Sequence, residues 1–247
     1  LVEITDSITY AKNIQTAILP SKKNVKRLLR ESFIYYKPKD IVAGDFYWLQ
    51  ERNNKVLFAV ADCTGHGVPG AMISVVCNNA LNRSVREYGV TEPGKILDKT
   101  REIVKEEFEK SGKEVNDGMD IALCSLEGNQ LEYAGARIPV WIIRDGEIIE
   151  IKGDRQPIGK YGSQKPYTTH TFNLQEGDLI YIFSDGFVDQ FGGEKGKKFK
   201  IQPFRDLLLS VQENNMYDQK TMIYKTFEDW KGALEQIDDI CVIGVRI

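Results

Sequence analysis

No stretch of this chain is apolar over the roughly 18–20 residues that a helix needs to cross a bilayer, so the sequence predicts no membrane span. The first residues also lack the basic, apolar and small-residue segments of a signal peptide. Because the chain begins at Leu1, we expect a fragment of a longer protein. The missing upstream part could carry further domains or a membrane anchor.

Cysteine is scarce, and none of the four cysteines belongs to a C-x-x-C pair. The four are Cys63, Cys77, Cys124 and Cys241; they are far apart, and three of them lie in or beside apolar runs. This pattern argues against a zinc site or a disulfide framework. It favours reduced, mostly buried thiols in a cytoplasmic protein.

Neither sign of charge is in large excess, since 33 Lys and Arg oppose 36 Asp and Glu for a net charge of -3. This balance gives no reason to expect nucleic acid or an anionic membrane as the main partner. The chain is 42% hydrophobic and 28% charged, which is ordinary for a globular protein. A chain of 247 residues can bury a substantial core.

The first twenty residues have a helical pattern that differs from the rest of the chain. The a/d seam of a coiled coil is formed by Leu1, Ile4, Ile8, Ala11, Gln15 and Ile18. Pro20 ends the pattern, which covers fewer than three heptads. Ile14 lies off the seam, so the helix could pack on the following domain or act as a dimerising linker. We divide the chain into a linker helix, 1–20, and a domain, 21–247.

From residue 32 onward the sequence predicts strands with helices in two groups. Aromatic and aliphatic runs predict strands at 33–36, 46–49, 56–61, 121–126, 131–134, 140–144, 147–151, 167–174, 179–184 and 240–247. Helical spacing predicts helices after Gly70 and at 93–110, 203–212 and 219–235. The helix after Gly70 should have an inner face formed by Met72, Val75, Val76, Ala80 and Val85. These elements predict a layered α+β fold.

Aspartates stand at the edges of several predicted strands, mostly beside glycine. They occur in four motifs: Gly44-Asp45, Asp62-Cys63-Thr64-Gly65-His66-Gly67, Ser184-Asp185-Gly186 and Asp238-Asp239-Ile240. One such pair alone is more often a turn. Four at strand ends suggest a shared site, because carboxylates are rarely buried unless paired or bound to metal. Oxygen ligands on rigid elements suit a hard cation such as Mg²⁺ or Mn²⁺.

The order of these motifs resembles that of the metal-dependent protein phosphatases related to protein phosphatase 2C. More narrowly, it resembles the bacterial SpoIIE-type serine phosphatase domains, from about Ser7 to Ile247. The resemblance implies a β-sandwich flanked by helices on both sides, in α-β-β-α layers. It also implies hydrolysis of phosphoserine or phosphothreonine on a regulatory protein, by water activated between two Mn²⁺ or Mg²⁺ ions.

The resemblance also implies roles for individual residues. Asp62 would bridge the two ions and so serve catalysis, and the backbone carbonyl of Cys63 would bind the second ion. The eukaryotic branch of the family usually has glycine at the position of Cys63. Asp45 would bind one ion, partly through water, while Asp185 and Asp238 would complete the other.

Other candidate residues keep two interpretations each. Asp239 could replace Asp238 as a ligand if the register slips by one residue. His66 could be a general acid toward the leaving serine oxygen, or it could hydrogen-bond its own loop and shape the helix start. Asp120 could support a further, weaker ion, or it could simply begin a strand in solvent.

Basic residues are weaker candidates. Lys37 and Lys39 precede Asp45 and could meet a phosphate, although a solvated strand edge explains them as well. The lysine-rich loop 192–200 could contact an acidic phosphoprotein, or it could be solvated. His170 alternates with threonines in a predicted strand, which favours a structural or exposed position.

The resemblance extends to partners. It implies a phosphorylated protein substrate, such as an anti-sigma antagonist, and an upstream sensor connected through the N-terminal helix, which could also form a homodimer. Two other functions stay open. One is a pseudophosphatase that only binds and signals, which would require missing ligands. The other is a phosphoesterase for small molecules, since no motif encodes substrate size.

Overall fold

The structure is a computed structural model that describes residues 2–110, 117–160, 162 and 164–247. Leu1, the first position of the expected seam, lies outside the described residues. The helices are α1 (Val2–Ile18), α2 (Lys22–Leu28), α3 (Gly67–Arg86), α4 (Pro93–Glu109), α5 (Gly186–Asp189), α6 (Ile201–Val211) and α7 (Met216–Lys231). The strands are β1 (Ser32–Lys37), β2 (Phe46–Arg52), β3 (Lys55–Cys63), β4 (Met119–Glu127), β5 (Gln130–Ala136), β6 (Val140–Arg144), β7 (Glu147–Ile151), β8 (His170–Asn173), β9 (Leu179–Phe183), β10 (Phe191–Gly192), β11 (Lys197–Lys198) and β12 (Ile240–Arg246).

Two five-stranded antiparallel sheets form the centre of the molecule. The first has the strand order β1-β12-β9-β6-β7, and the second has the order β2-β3-β4-β5-β8. Side chains alternate between the two faces of a strand, and β3 shows this clearly. Phe58 and Val60 point to the interface between the sheets, whereas Leu57, Ala59 and Ala61 point to the opposite face.

Helices cover the outer face of each sheet. Helices α3 and α4 bury Leu81, Ile96 and Leu97 against the second sheet. Helices α6 and α7 bury Phe204 and Phe227 against the first sheet. The layers are therefore helix, sheet, sheet, helix, as the resemblance implied, and the α-β-β-α expectation is confirmed.

The inner face of α3 differs from the prediction. Ala80 and Val85 are buried as expected, but Met72 and Val75 are 66% and 42% exposed, so for them the prediction is wrong. Ser74 takes the buried position instead, because its hydroxyl donates to the Ala71 carbonyl at 2.7 Å and accepts from another side chain. A polar group can be buried when its hydrogen bonds are satisfied.

The expected strand at 167–174 is shorter in the structure, where β8 covers only His170–Asn173. The preceding backbone bonds to other side chains: Tyr167 N–H donates to Asp98 at 3.1 Å and Thr168 N–H donates to Asp154 at 2.8 Å. These bonds compete with a strand ladder. The sequence patterns also did not predict the short helices α2 and α5 or the β10–β11 hairpin.

All four cysteines are buried free thiols, as expected. No helix of the described residues is long and apolar enough to cross a membrane.

Helix α1 projects its first turns into solvent and docks through its last turns. Gln15 is its one buried residue. The Gln15 amide donates to the Ala43 carbonyl at 2.6 Å and to Ser74 Oγ at 3.1 Å, while its oxygen accepts from Ala43 N–H at 3.0 Å. Ile4 and Ile14 are 65% and 54% exposed. The seam thus meets the domain at its polar position and leaves apolar positions uncovered.

Candidate metal centre

The strand registers bring the acidic motifs to one end of the sandwich. Lys37 at the end of β1 pairs with Ile240 at the start of β12, and Val242 pairs with Phe183 at the end of β9. In the other sheet, Phe46 at the start of β2 pairs with Ala61 near the end of β3. All four motifs flank these residues. Three of the motifs contribute to the lining of a cavity of about 440 Å³, whose walls include Asp62, Cys63, His66, Asp120, Arg137, Asp185 and Asp238.

Asp45 lies beneath this cavity and is only 2% exposed. One of its carboxylate oxygens, Oδ2, has no hydrogen-bond partner among the described residues. Burial, and then the charge of Asp62, raise the pKa of Asp45 well above its usual value, although a hydrogen bond with Ser184 opposes the shift. Tyr36 OH fixes the backbone by donating to the Asp45 carbonyl at 3.0 Å. An unpaired carboxylate oxygen at this depth is costly without a cation.

Asp62 is the penultimate residue of β3 and lies between Asp45 and the remaining acids. Burial first, and then the charges of Asp185 and Asp238, raise the pKa of Asp62 to about 8, while a hydrogen bond with Asp45 opposes the shift. Carboxylates that crowd together disfavour one another's ionised forms. Asp62 therefore interacts with acids on both sides, which is the position that a bridging ligand needs.

Asp185 follows β9 and stands directly before α5. Burial, and then the charge of Asp238, raise the pKa of Asp185 to about 6. The next residue, Gly186, packs against the Asp239 backbone so closely that a Cβ there would overlap the Asp239 carbonyl. Glycine in this motif lets the two acidic loops approach each other.

Asp238 and Asp239 are adjacent in sequence but have different surroundings. Asp238 lines the cavity. Asp239 is 1% exposed, and its two oxygens accept from the N–H groups of Lys39 at 2.8 Å and Gly44 at 2.7 Å. Asp239 thus holds the loop that leads into Asp45, and its lone pairs are largely occupied.

The loops around the cavity pack backbone to backbone. A Cβ on Gly44 would overlap the Gly65 carbonyl and stand 3.3 Å from the Cys63 carbonyl. The Cys63 side chain is buried next to the Cys77 thiol. Burial, and then a hydrogen bond with Cys77, raise the pKa of Cys63. Cysteine here therefore sends its side chain into the core while its main chain lines the cavity.

His66 stands at the rim, in a dyad with Asp40. Its Nδ1 lies 2.9 Å from Asp40 Oδ2, and its Nε2 lies 3.1 Å from Lys39 Nζ. These partners assign the proton of the neutral ring to Nδ1, which donates to Asp40, while Nε2 accepts from Lys39. The Asp40 carboxylate thereby fixes the orientation of the imidazole.

Asp120 is the second residue of β4 and lies directly opposite Asp62 in the strand register. Arg137 Nη1 lies 3.6 Å from Asp120 Oδ1, at the cavity wall. Burial raises the pKa of Asp120, and the charge of Arg137 opposes that shift. Asp120 therefore has a guanidinium as its partner in the structure.

The weaker basic candidates have other surroundings. Lys37 forms an ion pair with Glu228 on α7, and its ammonium lies 5.2 Å from the centre of the Phe227 ring. Lys198 on the lysine-rich loop pairs with Asp189 at 2.9 Å. His170 stacks on Tyr133 in the second sheet, with ring centroids 6.1 Å apart.

The donors fit a divalent cation in chemical type. They are carboxylate oxygens on strand ends, and one of them is buried without a partner, which suits a hard ion. Within the described part of the chain, no three His, Cys, Asp or Glu side chains converge closely enough to form a complete ligand set. The residues present thus fit the ion in chemistry, and binding would draw their side chains together.

Comparison with known proteins identifies the family. A family model described as stage II sporulation protein E (SpoIIE) matches residues 52–247, which is most of the chain. The chain belongs to the SpoIIE family. The resemblance read from the four motifs is thereby confirmed.

Two solved structures share the fold of this SpoIIE-family chain. The PP2C domain of SiaA from Pseudomonas aeruginosa is 34% identical, with a TM-score of 0.89, and the match covers 99% of this chain and 97% of that one. The phosphatase domain of SpoIIE from Bacillus subtilis is 19% identical, with a TM-score of 0.70, over 87% of this chain and 62% of that one.

One curated relative is the phosphoserine phosphatase RsbU of Bacillus subtilis strain 168. It is 26% identical over 231 residues, which is 92% of this chain. The chain spans about two thirds of the relative's length, since the match covers 65% of it.

Some residues of the site were not singled out from the sequence. Asp40 had no assigned role, and only the fold brings it to His66. Ser184 stood in the Ser184-Asp185-Gly186 motif without a role, yet it hydrogen-bonds Asp45. Arg137 had no motif at all. One available signal was that β4 and β5 are joined by a short turn, which predicts their pairing.

Proposed function

We propose that this SpoIIE-family chain is a metal-dependent serine/threonine protein phosphatase. The observation that carries the proposal is the partnerless buried oxygen of Asp45, which lies beside Asp62 beneath an acidic cavity. A buried acidic cluster of this kind is stable when cations neutralise it. Mn²⁺ or Mg²⁺ suits the all-oxygen donor set.

The ligands follow from the surroundings of each acid. Asp62 would be the ligand shared by two ions, because it interacts with Asp45 on one side and with Asp185 and Asp238 on the other. Asp45 would hold the second ion together with the Cys63 carbonyl, which faces the same backbone junction. Asp185 and Asp238 would hold the first ion.

Asp238 is the ligand in this proposal, and Asp239 is structural. Both oxygens of Asp239 accept backbone hydrogen bonds, whereas Asp238 lines the cavity. These backbone bonds use part of the acceptor capacity of Asp239 and point its oxygens at the loop.

The proposed reaction is attack of water on a phosphoserine or phosphothreonine phosphoryl group. Two bound divalent ions would supply hydroxide near neutral pH and neutralise charge on the phosphoryl oxygens. The protein holds the acids on rigid strand ends, so that little reorganisation is needed during the reaction. It forms no covalent phosphoenzyme, since water is the nucleophile.

His66 supplies the proton that the leaving serine oxygen requires. A serine alkoxide is a poor leaving group, and a protonated imidazole at the rim can neutralise it as the bond breaks. For this role His66 takes up a second proton, on Nε2, and Lys39 must first leave that nitrogen, while Nδ1 keeps its proton and donates to Asp40 at 2.9 Å. His66 therefore acts as general acid and Asp40 as its positioning residue.

The substrate in this proposal is a phosphorylated regulatory protein, such as an anti-sigma antagonist. The lysines of the β10–β11 hairpin, Lys195 and Lys197, are exposed and give an acidic protein a complementary surface. Buried free thiols fit a cytoplasmic location.

Helix α1 is proposed to join this domain to an upstream sensor and to pair with a second copy of itself. Its uncovered apolar positions, Ile4 and Ile14 among them, support a partner there. Gln15 gives such a partner a route to the site, because it clamps Ala43 two residues before Asp45.

The experiment is a phosphatase assay with and without Mn²⁺ on the full chain, on Asp62→Asn and on the exposed control Asp206→Asn. We expect Mn²⁺-dependent release of phosphate by the wild type and the control, and none by Asp62→Asn at unchanged folding. A comparison of a phosphoserine protein with free phosphoserine tests the small-molecule alternative. An inactive wild type that still binds a phosphoprotein would favour the pseudophosphatase, which the filled acidic positions disfavour.

A further inference from the structure

Arg137 has a backbone conformation that residues with side chains rarely adopt. Its φ is 66°. Of the other non-glycine residues with positive φ, Asn53, Asn54 and Asp145 are in hairpin turns, where Asn and Asp are tolerated. Arg137 instead lies between β5 and β6. Such conformations persist only where the surroundings enforce them, and they cluster at functional sites.

Backbone hydrogen bonds on both sides enforce this conformation. Arg137 N–H donates to the Asp154 carbonyl at 2.8 Å, and Asp154 N–H donates to the Gly135 carbonyl at 2.8 Å. Ile138 N–H closes the turn onto the Ala136 carbonyl at 2.9 Å. The fold therefore determines where the Arg137 side chain begins.

The strand registers then align Arg137 with the acidic centre. Asp62 on β3 pairs with Asp120 on β4, and Ile121 on β4 pairs with Ala136 on β5. The next position on that side, Arg137, lies opposite Asp120. The three residues form a row across β3, β4 and the position directly after β5, and the guanidinium lies 3.6 Å from Asp120.

The cavity is lined mainly by acidic side chains, so a cationic side chain in its wall matters for binding an anionic substrate. Asp62, Asp120, Asp185 and Asp238 line it, and its described lining has two formally cationic side chains, Arg137 and the exposed Lys160. A phosphomonoester carries nearly two negative charges at neutral pH, so it must enter past several carboxylates. A guanidinium has five N–H donors in a planar fork and can hold a carboxylate and a phosphoryl oxygen together.

We propose that Arg137 binds the phosphoryl group of the substrate, with Asp120 as its anchor rather than as a ligand for a further metal ion. The side chain lies in the wall of the cavity, so its donors reach the phosphoryl oxygens from the side. This proposal rests on the phosphatase function proposed above and assigns the phosphate-recognition group of that site.

The left-handed backbone makes Arg137→Gly an informative variant. Glycine adopts this conformation without strain, so the variant removes the side chain while the fold is retained. Arg137→Lys keeps the charge and loses the planar fork. Arg155→Ala removes an exposed arginine outside this cavity and is the matched control.

The first measurement uses inorganic phosphate as the probe. We expect Arg137→Gly to weaken phosphate binding to the Mn²⁺-loaded protein by about tenfold in calorimetry, as expected for loss of one charged hydrogen-bonding group. Its Mn²⁺ affinity should be retained or increased, since a cation has been removed from beside the carboxylates. Arg137→Lys should recover only part of the phosphate affinity, and Arg155→Ala should match the wild type.

The second measurement is steady-state kinetics with p-nitrophenyl phosphate and with a phosphoserine protein. Arg137→Gly should raise KM by about tenfold for both, because both substrates present the same phosphoryl group. Unchanged phosphate affinity and KM in a folded, active Arg137→Gly variant would overturn the assignment. Full recovery of phosphate affinity and KM by Arg137→Lys would also overturn the assignment, because a positive charge at this position would then explain both values without the planar guanidinium. Failure of the phosphatase function itself would appear separately, as an inactive wild type.

Discussion

Asp239 accepts a hydrogen bond from Gly44 N–H at 2.7 Å and so connects the start of β12 to the loop that precedes Asp45. The two residues are 195 positions apart. The same carboxylate accepts from Lys39 N–H at 2.8 Å. One buried acid thus shapes the loop, while its sequence neighbour Asp238 faces the cavity.

The different roles of Asp238 and Asp239 predict different effects of the two Asp→Asn substitutions: one on folding stability and the other on Mn²⁺ binding. Asp239→Asn replaces one acceptor oxygen by an N–H₂ group, so a backbone N–H loses its partner. We expect a loss of about 1–3 kcal/mol in the free energy of unfolding, as is usual for an unsatisfied buried group. Urea denaturation measures it.

Asp238→Asn should behave in the other way. Its folding stability should stay close to that of the wild type, while Mn²⁺ affinity and phosphatase activity fall sharply because a proposed ligand has been weakened. If Asp239→Asn lost Mn²⁺ binding at full stability, the assignment of the two acids would have to be exchanged.

The pH dependence of stability follows from the crowded acids. The pKa of Asp62 is about 8 in the folded, metal-free protein, against a usual 3.8, and that of Asp185 is about 6. Between pH about 4 and 8 the folded state retains protons that the unfolded state releases, so unfolding becomes more favourable as pH rises. We expect Tm of the metal-free protein to fall across this window.

Asp62→Asn provides the matched test, because asparagine has nearly the same shape and no charge to bury. The variant should show a weaker fall of Tm with pH and should be more stable than the metal-free wild type at pH 8. Addition of Mn²⁺ at pH 8 should raise the Tm of the wild type and leave the Tm of the variant nearly unchanged. A wild type whose Tm rises from pH 5 to 8 without metal would refute this electrostatic interpretation.

Gln15 connects helix α1 to the site through Ala43. Gln15→Leu leaves the Ala43 N–H and carbonyl without their partners in a buried position, which typically costs about 1–3 kcal/mol. We expect lower stability and altered turnover, because the loop before Asp45 loses its clamp. Asn13→Leu, on the exposed side of α1, is the control.

Removal of residues 1–20 should change turnover in the same direction as Gln15→Leu. Equal turnover in the wild type, Gln15→Leu and the truncated protein would mean that α1 does not influence the site.

The proposed general acid makes a prediction about leaving groups. p-Nitrophenolate leaves readily without a proton, whereas a serine alkoxide does not. His66→Gln should therefore lower kcat for a phosphoserine protein by about a hundredfold and change kcat for p-nitrophenyl phosphate far less. Asp40→Asn should show the same selectivity with a smaller effect. An equal loss on both substrates would assign His66 a structural role in its loop.

Much of the fold follows from sequence patterns, because alternation and helical spacing record which face is buried. Strand β3 is an example, since Phe58 and Leu57 point to opposite layers as the pattern predicts. The pattern fails at α3, where Ser74 is buried because it hydrogen-bonds Gln15 from a distant part of the chain. Hydropathy does not record such partners.

The same distinction applies to the site. The Asp-Gly motifs can be found in the sequence because their local chemistry is unusual. The difference between Asp238 and Asp239 cannot, because it depends on backbone N–H groups of Lys39 and Gly44. The position of Arg137 depends on a left-handed backbone that a sequence does not display.

Calorimetric titration of the full chain with Mn²⁺ at pH 7 tests the existence of the metal centre. The acidic cluster around Asp62 predicts saturable binding of two ions with release of protons, because Asp62 is largely protonated before the ions bind. Buffers that differ in ionisation enthalpy measure that release. Asp62→Asn should lose most of the binding and the proton release. Absence of Mn²⁺ binding to the folded wild type would contradict the proposed metal-dependent phosphatase.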